Sequence, residues 1–248
     1  MNLLAIETSS PTLSVAIKKT GGKLRHATVQ GYMKHAENLL PVIDRLLKKE
    51  KLKIGDIDVF LISRGPGSFT GLRIGFATLK GFLATCPKPC YGASSLDVIA
   101  AGITPLQRPG LCKTETRSLQ GGATLSLKGY ENLTVCLDAR RGKLYTRFYR
   151  YHKNKWSPNG PSRVMLIDEV KSALSDGCFI GGDGIFKFDT AGFTVAPEKN
   201  WVPQAATLIA LFETKDPLLK KLRRPKEFLP VYLRRSEAEE RLKDKKHA

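Results

Sequence analysis

The chain has 248 residues, 42% of them hydrophobic, so it can bury one large core or two modest ones. Lysine and arginine outnumber aspartate and glutamate by 41 to 23, and the resulting net charge of +18 favours association with polyanions. No stretch reaches the roughly 18 apolar residues of a membrane span, and the first apolar run lacks a preceding basic segment and is broken by Glu7, which argues against a secretory leader.

In chain order, Leu3 to Ile6, Leu13 to Lys18 and Leu24 to Gln30 read as three short strands, with turns at Ser9-Ser10-Pro11 and Gly21-Gly22. Ala36 to Glu50 reads as a helix with Leu39, Leu40, Ile43, Leu46 and Leu47 on one face. Pro41 falls within its first two turns and is expected to distort the helix or delay its regular start. Ile57 to Ile62 is an apolar strand, Leu72 to Ala84 a second helix, Cys90 to Gly92 a short strand and Ser95 to Ala101 a further helix. Ile103 to Asn132 is rich in Gly, Thr, Ser and Lys with little periodicity. A mobile loop is expected there, with a small hairpin around Gly121-Gly122.

A second set of elements starts near Leu133. Leu133 to Asp138 and Leu144 to Tyr151 form a hairpin pattern, followed by a helix near Ile167 to Leu174, a strand at Phe179-Ile180 and a helix around Gln204 to Glu213. The expected organisation is a first lobe at 1–102, an inserted loop at 103–132, a second lobe with a closing segment at 133–236, and a charged tail at 237–248. Five cysteines are scattered; Cys86 and Cys90 flank Pro87-Lys88-Pro89 without a second pair at zinc-site spacing. Free thiols in a reducing cytoplasm are expected.

The most informative run is Arg64-Gly65-Pro66-Gly67-Ser68-Phe69-Thr70-Gly71-Leu72-Arg73-Ile74-Gly75, between the apolar strand and the second helix. A glycine-rich strand-to-helix connection aims backbone N–H groups and the positive helix end at one place, which suits a phosphate. No Gly-Lys-[Ser/Thr] closes the run and it is not Gly-x-Gly-x-x-Gly, so a tight turn with close helix packing stands beside the phosphate reading. Gly67, Gly71 and Gly75 recur every four residues, with Thr78 and Gly81 extending a small face. Each interior helix glycine costs about 0.8–1 kcal/mol against alanine, a cost that close approach of another backbone would offset. Leu72, Phe76, Leu79 and Leu83 occupy the opposite face and suit burial against a sheet. The small face therefore reads as a surface made for a neighbour.

This run resembles the signature of the TsaB (YeaZ) family, which assists in making N6-threonylcarbamoyladenosine in bacterial tRNA. Leu4-Ala5-Ile6-Glu7-Thr8-Ser9 resembles the family's opening strand, and His35 to Val42 its first long helix. Leu137-Asp138-Ala139-Arg140-Arg141-Gly142-Lys143-Leu144-Tyr145 resembles its hairpin motif, and Pro230-Val231-Tyr232-Leu233-Arg234 its closing motif. Element order alone gives α/β or α+β; the resemblance implies a two-lobed actin-like, ribonuclease H-like fold. The segment 103–132 departs from the family, whose connection there is usually shorter.

The resemblance also implies a pseudoenzyme. Actin-like ATPases hold phosphates between two glycine-bearing hairpins. Here Glu7-Thr8-Ser9-Ser10 lacks the glycines, Asp138 to Gly142 carries two arginines, and Gly181-Gly182-Asp183-Gly184 resembles a degraded adenosine-side loop or a plain strand-to-helix turn. Candidate anion or nucleotide contacts are Thr8, Ser9, Arg64, Arg140 and Gly182. The catalytic relative TsaD carries two metal-binding histidines at i and i+4; here His35 is followed by Leu39, so no metal site and no catalytic residue is assigned. His35 reads as a capping or contact residue.

The expected role is a scaffold that binds and activates a TsaD homologue and lets a TsaE homologue dock, in the cytoplasm. It reaches tRNA indirectly through the complex and forms a homodimer when alone. No cofactor is expected in the isolated chain, while ATP or ADP is a candidate at the complex interface. The family's interface maps to His35, Leu39, Ile43, Leu46, Gly71, Gly75, Thr78 and Phe82, and Gly75→Arg is expected to block partner binding without unfolding the lobe. Two rivals remain: an independent actin-like small-molecule kinase or ATPase, separable by ATP turnover, and a basic RNA-binding module, separable by salt-sensitive tRNA binding.

Overall fold

The computed structural model describes residues 1–31, 34–103, 132–153, 155–175 and 178–234. The first strand, β1 (Leu3–Glu7), is buried at all five positions, as a strand covered on both faces must be. It pairs antiparallel with β2 (Thr12–Lys18), and β2 pairs antiparallel with β3 (Leu24–Gln30). After α1 (His35–Glu50), β4 (Val59–Ser63) lies parallel to β1, with Leu3 opposite Val59 and Ile6 opposite Ile62. Next, α2 (Phe69–Thr85) leads to β5 (Cys90–Ala93), parallel to β4, and then to α3 (Ser95–Gly102).

The following strands build a second sheet. β6 (Asn132–Asp138) and β7 (Lys143–His152) form an antiparallel hairpin; β8 (Lys155–Pro158) and β9 (Arg163–Leu166) both pair with β7. Beyond α4 (Ile167–Ala173), β10 (Phe179–Gly181) runs parallel to β6 and β11 (Thr194–Val195) parallel to β10. Then come α5 (Ala205–Glu213) and β12 (Lys220–Leu222), which pairs antiparallel with β5, and a short turn at Pro225–Phe228. The first sheet thus reads β12-β5-β4-β1-β2-β3.

Two compact units result, one of residues 1–98 with those from Val202 on, the other of 99–201. In the first, Leu4, Ile6, Val15, Ile17, Phe60 and Ile62 of the sheet form one core with Leu39, Ile43 and Leu46 of α1 and Phe76 and Leu79 of α2. Helix α5 packs on β1, β2 and β4, where Ala5, Ala16 and Leu61 alternate with those core residues and are themselves buried. Cys136, Leu144, Val170, Ile180 and Ile185 centre a core in the second unit. Among the described residues, no helix is long and apolar enough to cross a membrane.

Three expectations change. The second lobe was expected to run to 236, but α5 buries Ala205, Leu208, Ile209 and Leu211 with the first sheet, so the chain returns to the first unit at Val202. Pro41 neither delays nor interrupts α1, which begins at His35 and runs unbroken; the proline is exposed. Leu40 is 54% exposed, and Val42 takes its expected place in the core. Of the expected insertion, 104–131 lie outside the described residues, as does the tail 237–248; Asn132 already opens β6.

Candidate functional site

The parallel strands β1, β4 and β5 end side by side, and each end is polar: Glu7 and Thr8, Ser63 and Arg64, Ser94 and Ser95. Ligands of open α/β sheets sit beyond this carboxyl edge. Glu7 is fully buried; its Oε1 accepts from Ser9 N–H at 2.6 Å and from the Ser9 hydroxyl at 2.5 Å. Its Oε2 is buried without a hydrogen-bond partner, as are Oγ1 of Thr8, Oγ of Ser63, Ser94 and Ser95, and Nε of Arg64. Burial pushes the Glu7 carboxyl up to about 7, against the downward pull of the Ser9 hydroxyl and N–H that bond to it and of the nearby Ser63 hydroxyl, which lies outside hydrogen-bond geometry. Glu7 therefore changes charge near neutral pH.

The glycine-rich run is packed from within the chain. A Cβ at Gly67 would collide with the Ser9 carbonyl, one at Gly71 with the Thr8 carbonyl, and one at Gly75 with Thr8 Oγ1. Ser68 N–H donates to Ser9 O at 2.6 Å, while Ser68 Oγ accepts from Gly71 N–H at 3.2 Å and caps α2. That cap starts the helix at Phe69, ahead of the expected Leu72. The backbone approach that offsets the glycine cost at Gly67, Gly71 and Gly75 is thus made by the chain's own β1–β2 hairpin, so these three positions face inward rather than toward a neighbour. The N–H groups of Ser68 and Gly71 are bonded to Ser9 O and Ser68 Oγ, and the close-approach side of Gly67 and Gly71 is filled by the hairpin backbone.

Arg64 lies under the closing segment. Val231 N–H donates to Arg64 O at 2.7 Å, Ser95 N–H donates to Gly65 O at 2.9 Å, and the Tyr232 ring packs on Phe69 at 4.4 Å between centroids. The Arg64 stem crosses Gly92, where a Cβ would stand 2.6 Å from Arg64 Cδ. Burial lowers the Arg64 pKa, with Glu227 and Cys90 offsetting part of the effect. His35 is buried, with Nε2 donating to the Ser10 carbonyl at 3.0 Å. Burial lowers its pKa while the Ser10 and Gly31 carbonyls oppose this. It ties the start of α1 to the hairpin.

The other candidate residues, Arg140 and Gly182, belong to the second unit. Arg140 and Arg141 both take left-handed backbone (φ 64° and 51°) at the tip of the β6–β7 hairpin. Asp138 holds this tip through its Oδ1, which accepts from Arg140 N–H at 2.8 Å, and Lys187 Nζ lies 3.3 Å from Asp138 Oδ2. Asp138 N–H donates to Asp183 Oδ1 at 3.0 Å. Burial raises the Asp183 pKa, with that N–H pulling the other way. Gly182 (φ 95°) lies so close to the Cys136 carbonyl that a Cβ would collide with it. The glycine turn and the hairpin therefore lock each other. Thr8, Ser9 and Arg64 gather in one unit, Arg140 and Gly182 in the other.

The residues expected at a partner interface turn inward. His35, Leu39, Ile43 and Leu46 are buried, and Gly71 and Gly75 face Thr8. Thr78 is half-buried, and Phe82, also half-buried, stacks on Phe60 at 5.9 Å. The outer faces of the same helices instead present Ala36, Leu40 and Pro41 on α1 and Arg73, Ala77, Lys80, Gly81 and Ala84 on α2. Gly81 has open space where a side chain would stand. Among the described residues, no group of three or more His, Cys, Asp or Glu is placed to hold a metal ion. The buried Glu7–Ser63 edge was missed in the sequence; its signal was a glutamate closing an otherwise apolar strand.

Residues 31–170 match the family model described as "TsaD: tRNA N6-adenosine threonylcarbamoyltransferase". The curated protein "tRNA threonylcarbamoyladenosine biosynthesis protein TsaB" of Escherichia coli is 29% identical over 68% of this chain and 64% of its own length. Its namesake in Bacillus subtilis is 27% identical over 68% and 64%, and that of Haemophilus influenzae 29% over 58% and 52%. The matched part thus spans between about half and two thirds of those relatives. The solved structure "YeaZ from Pseudomonas aeruginosa" superposes with a TM-score of 0.69 at 22% identity, covering 94% of this chain and 99% of that one, and shares its two-lobed fold.

Proposed function

This chain belongs to the TsaB (YeaZ) family, within the wider family described as tRNA N6-adenosine threonylcarbamoyltransferase, and from that premise we propose that it is a non-catalytic scaffold subunit for N6-threonylcarbamoyladenosine formation in tRNA. One observation carries the non-catalytic reading: the glycine-rich loop spends its close-approach positions on the chain's own Thr8 and Ser9. A loop filled in this way supports packing of α2 rather than turnover of a nucleotide.

In this reading the chain binds and activates a TsaD homologue through the outer faces of α1 and α2. Leu40, Pro41, Ala77, Gly81 and Ala84 are the apolar and small positions exposed there, among the exposed charges Glu37, Asp44 and Arg45 on α1 and Arg73 and Lys80 on α2. A stable contact of this kind buries on the order of 1,200–2,000 Å². The same surface joins two copies when the chain is alone. A TsaE homologue docks on the assembled complex, any ATP or ADP lies at the joint surface, and tRNA is reached through the complex in the cytoplasm. The test is threonylcarbamoyl transfer to tRNA by the TsaD homologue of the same organism, with and without this chain. Transfer that depends on the chain supports the reading; equal transfer in its absence overturns it.

A second reading, an independent actin-like kinase or ATPase, is favoured by the unpartnered polar atoms at the ends of β1, β4 and β5. ATP turnover by the isolated chain, lost in Glu7→Gln, would establish it in place of the scaffold.

A further inference from the structure

At the opposite end of the first sheet from Glu7, a surface cavity of about 730 Å³ opens between Leu3 of β1, Tyr91 of β5, the end of α5 and β12. Pockets for small organic ligands span about 300–1,000 Å³. Tyr91 and Phe212 form one wall, edge to face with centroids 5.1 Å apart, and both are only half-buried, which leaves ring surface open to a flat guest.

Positive charge is in excess around this wall, where three lysines meet two carboxylates. Lys215, Lys220 and Lys221 line the cavity, are exposed, and have no ion-pair partner among the described residues. The carboxylates at the rim are engaged: Glu213 Oε1 pairs with Lys18 Nζ at 2.5 Å, and Asp216 Oδ1 accepts from Leu218 N–H at 2.9 Å. With Lys18 included, four ammonium groups (Lys18, Lys215, Lys220, Lys221) meet two carboxylates (Glu213, Asp216). Lys215 stands just past the end of α5 in left-handed backbone (φ 51°), where its charge offsets the negative helix end. Lys220 and Lys221 come from the edge strand β12, paired with Gly92 and Tyr91, so the cationic and aromatic walls are fixed to each other by backbone hydrogen bonding.

We infer that this cavity binds a nucleoside phosphate, with the base against Tyr91 and Phe212 and the phosphate among Lys215, Lys220 and Lys221. Such a ligand matches both walls at once: a π-face for the aromatic pair and a dianion for the lysines. Two sources carry this chemistry, a free mononucleotide and an unpaired nucleotide of an RNA strand. The site is separate from the glycine-rich loop and independent of the scaffold role, and it departs from the expectation that the isolated chain holds no nucleotide.

Isothermal titration of the full chain with AMP, adenosine, inorganic phosphate and a short single-stranded oligoadenylate tests the inference. The expected result is saturable AMP binding that weakens with salt and is at least about tenfold tighter than adenosine or phosphate alone. The double variant Lys220→Glu, Lys221→Glu, exposed and folding like the wild type by its thermal midpoint, weakens it by about tenfold or more. Tyr91→Leu weakens AMP but not phosphate. Oligoadenylate binding more tightly than AMP identifies an RNA strand as the source, and the reverse order a free nucleotide. No saturable binding of either up to about 1 mM, or binding unchanged in the double lysine variant, overturns the proposal.

Discussion

Gly75 of α2 lies directly against Thr8, and the volume a side chain would need at position 75 is filled by Thr8 Oγ1. Together with Gly71 against the Thr8 carbonyl and Gly67 against the Ser9 carbonyl, this contact seats α2 on the β1–β2 hairpin. These three glycines thus form an internal seam of the first unit, while Gly81, further along the stripe, faces open space.

Gly75→Ala is expected to lose stability by roughly 2–4 kcal/mol, although alanine is the better helix former by about 0.8–1 kcal/mol. Gly81→Ala, with nothing within 4 Å of the added carbon, is expected to gain about 0.5–1 kcal/mol. Urea midpoints of the two variants give the comparison, and equal shifts would contradict a close contact between Gly75 and Thr8. Gly75→Arg accordingly reports on folding, not on partner binding.

Glu7 makes stability depend on pH. Its ordinary value is 4.5 and burial raises it to about 7, so between those values the folded chain holds more protons than the unfolded one. Stability then falls as pH rises through that window, by on the order of 3 kcal/mol in full. Glu7→Gln keeps an acceptor for Ser9 and cannot ionise, so it should gain on the wild type at pH 8 relative to pH 5. A stability difference between the two proteins that is the same at both pH values would contradict a titrating Glu7.

Thiol reactivity should sort by burial. Burial pushes the Cys90 and Cys136 thiols up to about 12, Cys90 in spite of the nearby Arg64 charge, and only the thiolate reacts. At pH 8, iodoacetamide should modify the half-buried Cys86 and leave Cys90 and Cys136 intact until denaturant is added. Peptide mass spectrometry reads the outcome; native labelling of Cys90 at the rate of the unfolded chain would contradict it.

Periodicity located the long elements because their side chains do the packing. The strand Leu24–Gln30 is where it was expected, and α1 and α2 differ from expectation only at their ends. The strands Lys155–Pro158, Arg163–Leu166, Thr194–Val195 and Lys220–Leu222 left no such pattern: each has two to four residues and is placed by backbone pairing with a neighbour. The return of α5 to the first sheet was hidden for a related reason. Leu208 and Ile209 announce burial but not the sheet they will meet. At the candidate site, glycine spacing correctly signalled close backbone approach. Which backbone approaches, the chain's own Thr8-Ser9 or another protein's, is a matter of tertiary geometry that spacing does not carry.

The proposed binding of a partner through the outer faces of α1 and α2 is tested at Gly81. An arginine there projects into open space and leaves the core untouched. The measurement is the affinity of the wild type and of Gly81→Arg for the TsaD homologue of the same organism, with thermal midpoints taken in parallel. The expected result is a stable wild-type complex weakened about a hundredfold by Gly81→Arg at an unchanged midpoint. Wild-type affinity in the variant, or no complex with the wild type, would contradict it.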